Sequence, residues 1–197
     1  MCCNFLSRLQ RLLLWLSELL FVNYYFNAMI EVYHQLLIAE VDRRLIQECQ
    51  KRTLHCLDQL TDEQIWHRPN EHSNSMGNLV LHLCGNIKQW LHATLGSAED
   101  YRQRQSEFDE RGPISRDVLK QMIISLMQES AKVLHSLTAE DMLKPYRVQG
   151  FQESGVSILV HITEHFSYHV GQLTYYVKAL KDMDMGYYDG QDLDVVE

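Results

Sequence analysis

Apolar positions recur at three- and four-residue steps through most of the chain, the spacing of helices that bury one face. The first such run covers about residues 28–60. Ile38, Val41, Leu45, Cys49, Cys56 and Leu60 share one side, and Glu40, Asp42, Arg43, Arg44, Glu48 and Lys51 the other. Thr61-Asp-Glu-Gln64 then fits a capping box that opens a short turn, which Pro69 ends. Asn74 or Ser75 is placed to cap a second helix over about 76–95, with Leu79, Leu83, Ile87, Trp90 and Thr94 as its inner stripe and Gly96 as its stop. Residues 97–113 are polar and end in Gly112-Pro113, a connecting loop. A third helix over about 115–137 turns Leu119, Met122, Leu126, Val133 and Leu137 inward, and residues 138–152, which include Pro145, read as loop. A fourth over about 155–180 buries Ile158, Ile162, Phe166, Leu173, Tyr176, Val177 and Leu180. Nothing reads as a sheet. The expected fold is all-α, a four-helix bundle with an additional N-terminal helix.

That extra helix comes from residues 1–28. Leu12 to Val22 reads LLLWLSELLFV behind Arg8 and Arg11, the broad shape of a signal peptide. Glu18 interrupts the apolar run and no clean small-residue cleavage site follows, so an amphipathic helix is the better reading. By itself the run is too short and too charged to span a membrane. An alternative is a natural start at Met29, with residues 1–28 as an extension. The bundle domain is expected over 29–189 and an acidic tail over 190–197.

Composition narrows the function classes. Apolar residues make up 46% and charged residues 22%, with nine Gly and three Pro, too few for a turn-rich all-β fold. The net charge of −8 excludes a sequence-independent nucleic-acid binder, which needs a basic face. Five cysteines, Cys2, Cys3, Cys49, Cys56 and Cys84, are odd in number and lack metal or redox CxxC spacing. They fit small buried hydrophobes in a reducing, cytoplasmic compartment. Cys84 stands about 200° around the helix from His82, so the two do not share a ligand set.

The ten histidines divide sharply. His34, His55, His67, His72, His92 and His135 fall on polar faces or in loops. His165 and His169, four residues apart, project from one side of the fourth helix, inside its apolar stripe. A buried unpaired imidazole costs about 1–3 kcal/mol, so two together need either a shared metal or hydrogen-bond partners such as Tyr, Asn or water. His82, at the edge of the second helix's stripe, is the best third ligand from a facing helix. Three imidazoles and an open position make the ligand set of a catalytic divalent site. His161, one turn before His165, is a competitor for one ligand place or a supporting residue. His161-Ile-Thr-Glu164-His165 also matches the inverted zinc-peptidase pattern. Such a site needs a further acidic ligand far downstream and a larger mixed fold, whereas only 32 residues follow His165, with Glu197 their single Glu; Glu164 also points away from the stripe.

Two segments carry a family resemblance. Leu79-Val-Leu-His82-Leu-Cys-Gly-Asn86 followed by Gln89-Trp90, and His165-Phe-Ser-Tyr-His169-Val-Gly-Gln172, resemble the DinB-like superfamily, which includes YfiT-type proteins and thiol-dependent transferases. Pro69-Asn70 and the closing Gly186-Tyr-Tyr also fit, and the resemblance covers about residues 36–189. It implies a four-helix bundle, often dimeric, with a divalent metal at one end held by His82, His165 and His169. It also implies a low-molecular-weight thiol as cosubstrate. Gly171 is then expected to serve helix packing, and Gln172 a hydrogen bond behind a ligand.

The function expected is a metal-dependent, thiol S-transferase-like enzyme, acting on a small electrophile and homodimeric, with Zn or Ni the leading metals. A non-catalytic metal-binding stress or scaffold protein is the main rival. An interaction module whose N-terminal helix docks on a membrane or partner is the third.

Overall fold

The computed structural model describes residues 8–196, so Cys2, Cys3 and Phe5 lie outside it. The chain forms an all-α bundle with one small hairpin. Helix α1 (Arg8–Val41) runs without interruption through a π-helical stretch, Asp42–Cys49, into α2 (Gln50–Asp58). After α3 (Asp62–Trp66) come α4 (Met76–Ile87), which continues as a second π-helical stretch, Lys88–Leu95, and α5 (Arg104–Asp109). Then follow α6 (Arg116–Ser136), α7 (Ala139–Leu143), strands β1 (Pro145–Val148) and β2 (Phe151–Ser154), and α8 (Gly155–Lys181). The α1–α2 rod, α4, α6 and α8 are the four bundle helices. Both α6 and α8 pack against α2 and against α4, which puts α4 beside α8 for the site below.

Local signals placed most boundaries. Thr61 and Ser75 each accept from the N3 amide and close capping boxes with Gln64 and Asn78. The π stretches coincide with runs of four-residue steps: Val41, Leu45 and Cys49, then Ile87, Leu91 and Leu95, all buried. Each four-residue step drifts by about 40° around an α-helix. Widening the helix there keeps those side chains in line on the core.

Three stretches depart from the sequence reading. Residues 138–152, expected as loop, hold α7 and the antiparallel hairpin, paired Val148↔Phe151 through Pro145↔Ser154. Its turn residues Gln149 and Gly150 both have positive φ, 51° and 86°, as a two-residue primed turn requires. Residues 97–113 hold α5, which the absence of an apolar stripe concealed. From Arg8, where the described residues begin, the N-terminal extension is helical as expected, but continuous with the first bundle helix. Every residue from 13 to 29 is exposed, and consecutive apolar side chains from Leu13 to Leu16 and Leu19 to Val22 occupy all its sides. Continuity also lifts the length limit: the helix from Leu13 onward is long and apolar enough to cross a membrane, a test that signal sequences also pass.

The irregular segment between α8 and the acidic tail is anchored at Tyr187. Tyr187 Oη lies 2.8 Å from Thr174 Oγ1 and 3.3 Å from Cys56 Sγ, and Arg52 stacks 4.8 Å from its ring centroid. Cys49, Cys56 and Cys84 are buried free thiols. Burial pushes Cys49 up to about 11 and Cys84 to about 12, so neither is a reactive thiolate.

Candidate metal centre

His82 comes from α4, and His165 and His169 from successive turns of α8. One ring nitrogen from each lies within 4.8 Å of the others, the group among the described residues close enough to hold a metal ion. His82 Nε2 and His165 Nε2 are 3.2 Å apart. Imidazole nitrogens about 2.0–2.1 Å from one tetrahedral ion would be separated by roughly 3.4 Å, so this spacing suits a shared ion. His82 is buried, and the two α8 histidines are half-buried.

Hydrogen bonds fix which nitrogens face the centre. Glu107 Oε2 accepts from His82 Nδ1 at 2.8 Å, leaving the Nε2 lone pair turned inward. Gln172 Oε1 accepts from His169 Nδ1 at 2.6 Å with the same effect, the role the sequence suggested for Gln172. Burial, then the neighbouring imidazoles, push the pKa of His165 down to about 3, and burial also lowers that of His169. Both rings are therefore neutral, as ligation requires. The Nδ1 atom of His165 is buried without a partner. The donor set, three imidazole nitrogens, fits a borderline divalent ion.

Glu107 is the residue that sequence reasoning missed. It lies on α5, in the stretch taken for loop, and is itself buried. Arg102 grips it through Nε to Oε1 at 2.7 Å and Nη2 to Oε2 at 2.9 Å, and Gln89 Oε1 accepts from Arg102 Nη1 at 3.0 Å. Burial acts to raise the carboxyl's pKa, but the bonds from His82 and Arg102 outweigh it and hold Glu107 ionised. Asn78 brings α5 to this place: its Nδ2 donates to the carbonyls of Glu107 and Glu110, both at 2.9 Å. Gly85, one turn before Gln89, leaves room for the pair; a Cβ there would stand 2.8 Å from Glu107 Cδ and 3.0 Å from Arg102 Nε. An isolated glycine inside a helix was the one available signal.

The other histidines sort differently from the sequence reading in three cases. His161 stacks on Trp90, centroids 3.8 Å apart, outside the ligand group, with its Nε2 unpartnered. His92 is buried, its Nε2 2.8 Å from Ser130 Oγ, instead of solvated, because α6 covers that face. His34 is largely covered as well. His67, His72 and His135 are exposed and His55 half-buried. Glu164 is exposed, away from the centre, which removes the peptidase pattern. Gly171 does not pack: a Cβ there would meet nothing within 4 Å.

A family model described as "Protein of unknown function (DUF1572)" matches residues 34–188. Among solved structures, a DinB-like protein of Bacillus subtilis (YjoA) is 16% identical, with a TM-score of 0.57 over 76% of this chain and 94% of that one. A DinB-like protein of Bacillus cereus is 18% identical, with a TM-score of 0.53 over 67% and 85%. A conserved protein of Enterococcus faecalis is 15% identical, with a TM-score of 0.61 over 76% and 97%. Among curated proteins no match is found.

Proposed function

The chain belongs to the DUF1572 family and has the fold of the DinB-like proteins, and from that premise we propose that it is a metal-dependent enzyme transferring a small thiol to an electrophile. One observation carries the reading. Three imidazole nitrogens converge from two helices, and no fourth His, Cys, Asp or Glu among the described residues joins the group. That is an open site rather than a closed structural one.

When bound, a divalent ion supplies Lewis acidity that lowers the pKa of a thiol. The residues of the chain supply the rest. His82, His165 and His169 hold the ion, while Glu107 and Gln172 keep the ring protons on the outer nitrogens. Arg102 neutralises the ionised Glu107, so this pair would add no net charge beside the three imidazoles. Phe108, with its ring centroid 4.8 Å from that of His82, shields one side from water. The thiolate attacks an electrophilic carbon. The S–C bond forms as the leaving group departs with its electron pair, and the thiol proton passes to solvent.

The test is elemental analysis of full-length, tag-free protein beside His82→Ala, His165→Ala and His169→Ala, followed by thiol-plus-electrophile turnover. Near-stoichiometric metal lost in each variant, with turnover lost in parallel, is the expected result. Metal without turnover leaves the non-catalytic metal-binding role. No metal and no uptake of Zn or Ni means that the three histidines are structural, His165 Nε2 donating to His82 Nε2.

A further inference from the structure

A groove of about 940 Å³ opens beside His169, the triad member that also lines it. Its walls come from the segment His67 to Leu79 and from the second half of α8. Sixteen residues line it, and none is Asp, Glu, Lys or Arg. With 22% of the chain charged, a lining of that size would hold about three or four charges if they were spread evenly. The chain provides its own comparison. A second groove of about 820 Å³, between the α1–α2 rod and the other side of α8, is lined by Glu40, Arg44, Glu48, Arg52, Glu164 and Lys178 among others. Grooves on this bundle are not charge-free by default.

The polar groups that do line the first groove are partly spent inward. Tyr176 Oη donates to the Gln64 carbonyl at 2.9 Å, which fixes that ring as a wall. Gln172 Oε1 is occupied by His169. Tyr168 stands edge-on to His169, centroids 5.1 Å apart at 74°, with its ring otherwise exposed. Tyr175, Met76 and Leu180 add further apolar surface. His67, His72, Ser73 and Asn74 give the loop wall its polar groups, but no Asp, Glu, Lys or Arg stands there to pair with a charged ligand, whereas a flat apolar one would meet the tyrosine faces and edges of the α8 wall.

We infer that this groove binds an uncharged aromatic or alkyl molecule, which it presents to the triad at His169. Binding stands on the groove alone; the ligand's role as the electrophile rests on the thiol-transfer reading above.

The experiment uses full-length protein and two fluorophores with the same aromatic body, neutral N-phenyl-1-naphthylamine and anionic 8-anilino-1-naphthalenesulfonate. Ala179, exposed at the far end of the groove from His169, is changed to Trp to fill it or to Glu to charge it. The expected result is saturable binding of the neutral dye that either substitution weakens on the order of tenfold, with metal content unchanged. Dye held by the exposed N-terminal helix is common to all variants and cancels. Equal neutral-dye binding in parent and both Ala179 variants overturns the inference. So does an anionic dye that binds as tightly and is equally sensitive to Ala179. His165→Ala, which does not line the groove, is expected to keep the neutral dye. A metal-free parent that still binds it in an Ala179-dependent way would defeat the metal reading and leave the groove assignment standing.

Discussion

Replacing Gly85 by alanine should both loosen the metal and destabilise the fold, although the same change at an open helical site would stabilise it. The new methyl group would meet the carboxyl carbon of Glu107 at 2.8 Å and Nε of Arg102 at 3.0 Å. Neither group can swing into water, because their side chains are only 9% and 3% exposed. Breaking a buried pair costs about 3–5 kcal/mol, and the better helix propensity of alanine returns up to about 1 kcal/mol. The net loss is therefore roughly 2–4 kcal/mol. For a chain of this size that lowers the melting midpoint by about 5–15 °C. Displacing Glu107 also frees His82 to rotate, and losing such a supporting bond weakens metal binding by about 10- to 100-fold. Circular-dichroism melts in chelator and a competition titration with a chelating dye would read the two effects separately. Gly171→Ala is the control: the added methyl meets nothing, so stability should rise by about 0.5–1 kcal/mol. If Gly85→Ala melts at or above the parent and keeps its metal affinity, the carboxylate–histidine support described here is wrong.

Acid should destabilise the metal-free protein. His165, down to about 3, and His169, also lowered, refuse in the folded state a proton that the unfolded chain accepts below about 6.5. Glu107, held below its ordinary value, adds stability that is lost as pH falls through that lowered value. The two α8 histidines act between pH 7.5 and pH 5 and Glu107 only at lower pH, so the melting midpoint in chelator should fall steadily from pH 7.5 to pH 5, and less steeply in His165→Ala; equal midpoints at the two pH values would contradict the burial assigned to His165 and His169. Ser130→Ala should cost about 1–3 kcal/mol by leaving buried His92 Nε2 without its partner at 2.8 Å, read as a lower denaturant midpoint with metal content unchanged.

The sequence carried the parts of the site that sit on regular helices. His165 and His169 announce themselves because imidazoles four apart inside an apolar stripe violate the pattern around them. His82 needed the facing helix, and the motif resemblance, to stand out from other boundary histidines. Glu107 could not be found in this way. It lies in a polar stretch where no periodicity marks α5, and what brings it to His82 is the side chain of Asn78, a contact across the chain rather than along it. His92 was misread for the same reason, since a single polar residue at a stripe edge gives no sign that Ser130 on another helix will cover and pair it. The hairpin escaped because Gln149-Gly150 is a weaker turn signal than Asn-Gly, and because its strands are only four residues long.

The widened turns over Asp42–Cys49 have a consequence for insertions and deletions. A rod from Arg8 to Asp58 with neither Gly nor Pro would normally pass on any change of length as rotation, about 100° per residue. Losing one residue between Tyr33 and Glu40 would thus swing every side chain of the exposed N-terminal helix to a new bearing relative to the bundle. Losing one within 42–49 can instead be absorbed as the stretch tightens back to α geometry, with both flanks keeping their bearings. Length can therefore drift at this one junction without re-aiming either the apolar extension or the face of the rod that meets α8.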